Sequence, residues 1–190
     1  MTGSQHLDAV LDALEEAGVA HAFVGAAARN AWTSPRLTTD TDFAVLADAE
    51  EFDRVVAALS RAGWQLAKAN RADPDDPVPA VAIFRNASAP PPFSQVDLLV
   101  AGTEFEAQAV RGAVRRPLQG RPVPVVRRED LIVYKLIAWR SRDRGDAVEV
   151  LAAARATGEP LDLDHLRRWA SVWGEGDKLE RLLAGEYDDC

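Results

Sequence analysis

The amino-acid sequence predicts an α+β fold in which a small mixed β-sheet with flanking helices is followed by a C-terminal helical segment. Over residues 1–126, apolar residues recur at helical and strand spacing in the order α-β-α-β-α-β, with two or three further strands. Few of these strands are joined by the regular βαβ alternation of a doubly wound fold, so a mixed sheet is favoured. From Arg128 onward every segment has a helical pattern. We therefore expect an α/β core over residues 1–126 and a helical segment over residues 127–190 that packs on it.

The composition is that of a globular protein with a substantial core. The chain has 190 residues, of which 47% are hydrophobic, 7% aromatic and 27% charged. No apolar run approaches the ~18 residues that a membrane-spanning helix needs. The N-terminus carries acidic residues and lacks a basic leader, which argues against a signal peptide. Cys190 is the single cysteine, so neither a disulfide framework nor a thiolate metal site is expected. These features predict a cytoplasmic protein without a membrane segment.

Residues that start or stop helices define the elements of the core. Ser4 is a candidate N-cap of the first helix, which Gly18 ends, and Asp48 caps a later helix that ends at Gly63. Pro35 prevents a helix from continuing through the loop that follows the second helix. The predicted elements are, in chain order, helix His6–Glu16, strand His21–Val24, helix Ala26–Trp32, strand Asp42–Leu46, a helix between Asp48 and Gly63, strands Trp64–Ala67, Ala80–Arg85 and Gln95–Val100, and helix Glu104–Val110.

Beyond these elements the pattern changes from strands to helices. Proline-rich loops at residues 70–79 and 89–92 separate the middle strands, and a turn at residues 119–122 separates the last two. These later elements are strands Ala113–Leu118 and Val123–Val126, then a helix from Arg128 through Ala138, helices over Val148–Ala156 and Leu163–Trp173, and a short helical turn over Lys178–Leu183.

Two aspartates at the start of the second strand form the central feature of the sequence. Asp40 and Asp42 are two positions apart, and strand residues at that spacing face the same side. Two like charges at close range repel unless a cation lies between them. Magnesium suits such a pair because it takes oxygen ligands and keeps water or phosphate oxygens as the others. The same pair also occurs as a loop cap or a solvated turn, so its setting decides between the two.

A glycine and a third acid form the sequence context of the Asp40–Asp42 pair. Gly25 lies at a strand-to-helix junction, where glycine lets a phosphate approach backbone N–H groups; tight packing would also require it. Asp97 is flanked by Val96 and Leu98, so it is expected on the opposite face of its strand from these apolar residues. A third carboxylate beside a metal pair would complete a two-metal site, whereas on a solvated face it would have no such role.

These residues carry a resemblance to a known superfamily. The stretch Phe23–Ala26, followed by Arg36–Phe43, resembles the signature of the polymerase-β-like nucleotidyltransferases, and is most similar to the toxin-type branch of abortive-infection and toxin–antitoxin systems. Gln95–Leu99 matches the position of the third aspartate. Glu129–Ala138 together with Arg142–Asp146 resembles a helical segment in which a lysine and a downstream aspartate are typical. The resemblance covers about residues 20–152.

The resemblance implies a reaction and a set of site residues. A hydroxyl would attack the α-phosphorus of a nucleoside triphosphate, and pyrophosphate would leave. Two magnesium ions would be held by the three acids, with Asp97 also helping to deprotonate the acceptor. The implied metal-binding and catalytic residues are Asp40, Asp42 and Asp97, and the implied nucleotide-binding residues are Gly25, Ala26, Arg36, Lys135 and Asp146.

Some of these positions have alternatives or depart from the pattern. Lys135 is also interpretable as an ordinary surface lysine, and Asp146 as the cap of the following helix. Ala26 stands where the superfamily has glycine or serine, so no hydroxyl is available there, and Gly145 stands where a lysine often precedes the aspartate.

The distribution of charge along the sequence indicates which molecules could accept the nucleotide. The net charge is −8, yet the segment Arg111–Arg144 has ten basic residues against three acidic ones. Such a basic region can attract RNA, tRNA especially, or be a solvated face. A protein hydroxyl and a small, antibiotic-like acceptor are alternatives. A non-catalytic binding module, such as an antitoxin-like partner, is the alternative from another functional class, and a toxin or antitoxin partner is a further expectation.

Overall fold

The computed structural model describes residues 3–71, 78–91, 93–118 and 120–186, and the side chains from residue 5 onward. The predicted N-cap side chain of Ser4, most of the predicted loop at 70–79, parts of the loop at 89–92 and of the turn at 119–122, and Cys190 lie outside the described residues.

The described residues form helices and strands in nearly the predicted order. Their bounds are α1 Gly3–Glu16, β1 Ala20–Phe23, α2 Gly25–Trp32, β2 Thr41–Leu46, α3 Ala49–Arg61, β3 Gln65–Asn70, β4 Val81–Arg85, β5 Gln95–Val100, α4 Glu104–Arg111, β6 Val114–Leu118, β7 Arg121–Val125, α5 Arg128–Ala138, α6 Ser141–Thr157, α7 Leu163–Val172 and α8 Gly176–Ala184.

The strands form one mixed sheet of seven strands in the order β3-β4-β5-β2-β1-β7-β6. β2 is parallel to β5 and β1 is parallel to β7, whereas β1–β2, β3–β4, β4–β5 and β6–β7 are antiparallel. The α+β class predicted from the sequence is confirmed. Because β2 and β5 are adjacent and parallel, residues far apart in sequence lie at the same level of the sheet.

Apolar side chains cover the central strands. Phe23 and Phe43 are register partners on β1 and β2, are fully buried, and have ring centroids 4.3 Å apart. On β5 the buried residues alternate with half-buried ones, so that Val96 and Leu98 enter the core and Asp97 lies on the other face. The predicted cap of α3 is confirmed, because the Asp48 side chain accepts a hydrogen bond from the Glu51 backbone in a capping box. The central strands are therefore fixed, and with them the positions of their polar residues.

The helical segment begins where the sequence pattern changes. β7 ends at Val125 and α5 begins at Arg128; α5 contacts α2, α6 and α7. The division into residues 1–126 and 127–190 stays a prediction. None of the helices in the described parts of the chain has both the length and the apolar character needed to cross a bilayer.

The start of α6 was predicted seven residues too late. α6 begins at Ser141 rather than at Val148, and Asp146 lies inside this helix, so the interpretation of Asp146 as a helix cap is wrong. The first turns of α6 lack apolar periodicity. They are held instead by buried acids, Asp143 and Asp146, which pair with Lys135 and Arg36 from other elements and with Arg140 at the N-cap of α6.

Candidate active site

Three carboxylates converge at one end of β2 and β5. Asp42 and Asp97 are register partners on these parallel strands, and Asp40 directly precedes β2. One carboxylate oxygen from each of the three residues lies within 4.8 Å of the others. All three residues are partly exposed, so the cluster is open to solvent. The convergence expected from the alternation of the two strands is observed.

The cluster is electrostatically unfavourable when all three acids are ionised. Burial, followed by repulsion from Asp40 and then Asp97, raises the pKa of Asp42 to about 7, against favourable contributions from the backbone N–H of Ala26 and from Lys135. Burial and the charge of Asp40 also raise the pKa of Asp97, although the Gln95 side chain donates a hydrogen bond to it at 3.0 Å. A divalent cation between the acids would remove this repulsion. A set of three carboxylates is the oxygen-rich donor set that magnesium prefers, so these residues fit a magnesium site.

Gly25 brings the first turn of α2 against the acid cluster. Its φ of +57° lies in the left-handed region that favours glycine. A Cβ at this position would lie 2.8 Å from Cγ of Asp42 and would overlap the carboxylate oxygen. The backbone N–H of Ala26 donates a hydrogen bond to the same carboxylate. The glycine therefore serves close packing here, and what it packs against is Asp42 itself.

Lys135 is a buried cation opposite the acid cluster. Its side chain is 9% exposed, and Nζ lies 2.9 Å from Oδ1 of Asp143 and 2.9 Å from Oδ2 of Asp146. A surface lysine would be solvated and free of such constraint, so that alternative is wrong. The predicted role of Lys135 in triphosphate binding stays a prediction.

Arg36 is held near Lys135 at both its backbone and its side chain. The Asn30 side chain accepts from the backbone N of Arg36 at 3.1 Å and donates to its carbonyl oxygen at 2.8 Å. The guanidinium Nη2 donates to both carboxylate oxygens of Asp146, at 2.7 and 2.9 Å. Asp146 thus anchors two of the predicted nucleotide-binding cations, Arg36 and Lys135.

Asp143 and Arg140 were not predicted as site residues. Nε of Arg140 donates to Oδ2 of Asp143 at 2.6 Å, while Oδ1 of Asp143 accepts from Lys135. Burial alone would raise the pKa of Asp143, but hydrogen bonds from Arg140 and Lys135 outweigh it and hold the pKa below its usual value. The available signal was the i, i+3 spacing of Asp143 and Asp146, which places both acids on one face of α6.

The acids and the cations line a common cavity of about 330 Å³. A smaller, mainly apolar cavity of about 170 Å³ adjoins it beside Leu99 and Tyr134. A larger cavity of about 520 Å³ lies between α6, α7 and α8, but it contains none of the predicted site residues. All of the predicted site residues line the 330 Å³ cavity, whose full lining is Gly25, Ala26, Arg36, Asp40, Asp42, Asp97, Lys135, Arg140, Arg142, Asp143 and Asp146.

The basic segment Arg111–Arg144 is distributed over several elements. Arg115 and Arg116 lie on β6, four strands from Asp97 on β5, or about 19 Å at about 4.8 Å per strand. Arg142 is exposed and lines the cavity, and no salt bridge to it occurs in the described parts of the chain. Five of the ten basic residues pair with acids, namely Arg121 with Asp8, Arg127 with Asp130, Arg128 with Glu159, Lys135 with Asp143 and Asp146, and Arg140 with Asp143.

Comparison with solved structures identifies the fold. No protein-family model matches the sequence, and no curated protein matches it significantly. The antibiotic-resistance factor ANT(2'')-Ia has a TM-score of 0.60 at 15% identity over 97% of this chain and 100% of that one. The lincosamide antibiotic adenylyltransferase LnuA has a TM-score of 0.54 at 15% identity, covering 80% and 98%. An antigenic nucleotidyltransferase-like protein from Paracoccidioides brasiliensis also reaches 0.54 at 15% identity, covering 94% and 91%. The chain therefore has the fold of these nucleotidyltransferases.

Proposed function

We propose that the protein is a magnesium-dependent nucleotidyltransferase that moves a nucleoside monophosphate from a nucleoside triphosphate to a hydroxyl acceptor. The observation that carries this proposal is the convergence of Asp40, Asp42 and Asp97 in a cavity whose other wall is cationic. The three carboxylates can bind metal cations, and the basic side chains of the facing wall can bind phosphate groups. A cavity with both is what a metal–triphosphate complex requires.

The three aspartates would have different roles in the reaction. Asp40 and Asp42 would hold two magnesium ions, and Asp97 would hold one of them and accept the proton of the attacking hydroxyl. Bound magnesium supplies neutralisation of the phosphate charge. The acceptor oxygen forms a bond to the α-phosphorus, and the bond from the α-phosphorus to the bridging oxygen breaks, so that pyrophosphate leaves.

The cations would bind the triphosphate. An ammonium group has three N–H donors; Lys135 donates one to Asp143 and forms an ion pair with Asp146, so donor capacity remains for a phosphate oxygen. Arg36 would add a second cation from the loop before Asp40. The two departures from the superfamily pattern do not remove these groups. The backbone N–H of Ala26 donates to the Asp42 carboxylate, a contact that does not depend on the side chain at position 26.

The first acceptor to test is RNA. Arg140 and Arg142 lie at the cavity, and Arg115 extends the basic character to the edge of the sheet. A small-molecule acceptor is the second candidate, favoured by the structural similarity to an antibiotic-resistance factor and to an antibiotic adenylyltransferase. Membership of the toxin–antitoxin branch, with a toxin or antitoxin partner, rests on the sequence motifs alone.

The proposal is tested by following the label of the α-phosphate. The protein is incubated with magnesium and each α-labelled triphosphate, in the presence of cell RNA, of cell protein, or of a panel of hydroxyl-bearing antibiotics. Label from the α-phosphate should enter one acceptor class, label from the γ-phosphate should not, and Asp42→Asn should abolish transfer. Magnesium-dependent triphosphate binding without transfer to any class would instead support a non-catalytic binding module.

A further inference from the structure

Asp143 joins two helices and two cations at the edge of the cavity. It lies in the first turn of α6, and its side chain is 3% exposed. One carboxylate oxygen accepts from Lys135 near the end of α5, and the other accepts from Nε of Arg140 between the two helices. Trp139, which links α5 to Arg140, has a φ of +41°, a conformation that bulky residues rarely adopt. The carboxylate therefore spans the joint at which the backbone is strained.

The hydrogen bonds to Asp143 also position the N–H groups of Lys135 and Arg140 that Asp143 does not use. Asp143 accepts one N–H of Lys135, and Oδ2 of Asp146 lies 2.9 Å from the same nitrogen, so the two acids hold the ammonium group in place. Nε of Arg140 is fixed by Asp143, and no hydrogen bond from its terminal nitrogens occurs in the described parts of the chain. The Arg140 side chain is 79% exposed, yet it is anchored at its base. A long, exposed side chain would otherwise lose considerable conformational freedom on binding a ligand.

We propose that Asp143 is a positioning residue for the triphosphate: it fixes Lys135 and Arg140 as a pair, so that the ammonium and the terminal nitrogens of the guanidinium bind phosphate oxygens together. This inference rests on the proposed function. Asp143 acts through the two cations and does not itself contact the nucleotide. A role only in joining α5 to α6 would predict effects on stability without a specific effect on triphosphate binding.

A double-mutant cycle on triphosphate affinity distinguishes the two roles. The dissociation constant of a non-hydrolysable triphosphate with magnesium is measured for the wild type, Asp143→Asn, Lys135→Met and the double variant, and melting temperatures are recorded for each. Asp143→Asn should weaken binding about tenfold or more, in the range typical of residues that orient a ligating group. In the Lys135→Met background the same change should cost clearly less than in the wild type, because Arg140 is then the one cation of the pair that Asp143 still positions.

Two further variants make the test independent of folding. Glu180→Gln breaks the Arg167–Glu180 pair, which spans 2.8 Å between α7 and α8 away from the cavity, and should leave triphosphate affinity unchanged. Asp143→Glu keeps the charge but shifts the carboxylate by one methylene; if Asp143→Asn does not fold, this variant should show the loss of affinity at a retained melting temperature.

The results separate this inference from the proposed function. Unchanged affinity in Asp143→Asn, or an equal loss in the wild-type and Lys135→Met backgrounds, overturns the positioning role while the wild type still binds the triphosphate. Absence of triphosphate binding by the wild type overturns the proposed function, and the positioning role with it.

Discussion

Gly25 and Asp42 are packed so closely that no side chain fits between them. The glycine has a φ of +57°, and the Asp42 carboxylate occupies the space that a Cβ would fill. Because the same carboxylate accepts from the Ala26 backbone, the N-terminus of α2 and the acid cluster form one unit. The conformation of a single glycine thus determines where a proposed metal ligand lies.

Gly25→Ala should therefore impair the site more than it impairs the fold. The added Cβ must displace Asp42, so magnesium-dependent triphosphate affinity should fall about tenfold or more. Left-handed strain adds roughly 1–2 kcal/mol, which lowers the melting temperature by about 2–4 °C per kcal/mol. Gly158→Ala is the matched control, since Gly158 has a φ of +67° with no atom near the Cβ position. An equal loss of affinity in both variants would mean that strain, and not displacement of Asp42, is responsible.

Asp42→Asn should remove transfer without removing the fold. The amide keeps the shape of the side chain but lacks the charge of a metal ligand, so turnover should fall by more than the 10–100-fold typical of groups that only support a ligand. In the absence of magnesium the variant should melt at the same or a higher temperature, because repulsion from Asp40 and Asp97 is relieved. Turnover is measured by release of pyrophosphate and unfolding by calorimetry. A clearly lower melting temperature with unchanged affinity for the magnesium triphosphate would assign Asp42 a structural role.

The contribution of Asp42 to the stability of the magnesium-free protein should fall as pH rises from about 4 to about 7. The pKa of Asp42 is about 7 in the folded protein, mainly because of burial, and about 3.9 in an unfolded chain. Between these values the folded state holds a proton that the unfolded state has lost, so folding is disfavoured progressively and the full penalty is present above pH 7. Saturating magnesium should reduce the trend because it favours the ionised carboxylates.

The measurement is the melting temperature of the wild type and Asp42→Asn from pH 4 to pH 8, with a chelator and with magnesium. The difference between the two proteins should grow with pH in the chelator and shrink when magnesium is added. Parallel curves in both conditions would show that Asp42 titrates near its ordinary pKa in the folded protein.

The acid cluster could be predicted from the sequence because its geometry is local to two strands. Asp97 stands between Val96 and Leu98, and alternation alone places it on the other face of β5. The pairing of β2 with β5 could not be read from the pattern, since it depends on the order of the strands in the sheet.

The cationic wall of the cavity could not be predicted in the same way. Arg36 and Asp146 are 110 positions apart, and their pairing depends on how α6 packs against the core. Polar partners replace apolar periodicity in the first turns of α6, which is why this helix was predicted too short. The strand at 65–70 was likewise extended beyond the prediction, because an edge strand is held by backbone hydrogen bonds to β4 and its side chains are exposed.

The last prediction concerns the acceptor and compares two exposed arginines. Arg142 lines the cavity and Arg115 lies on β6 at the far edge of the sheet, and neither forms a salt bridge within the described parts of the chain. If RNA runs from this edge to the acids, Arg142→Gln and Arg115→Gln should each weaken RNA binding. Each should also reduce the slope of log affinity against log salt by about 0.7, the value for one phosphate contact on a single strand.

The two arginines separate an extended RNA site from a local one. Affinity is measured by the anisotropy of a labelled RNA between 50 and 200 mM salt, a range over which affinity falls steeply because each counterion released into more concentrated salt gains less entropy. An effect of Arg142→Gln alone would place the contact at the cavity, where only a terminal nucleotide needs to bind, and this outcome fits the net charge of −8 better than a long track. RNA that fails to bind at 50 mM salt, with transfer to a small hydroxyl compound intact, would exclude RNA as the acceptor and assign the cavity to small molecules.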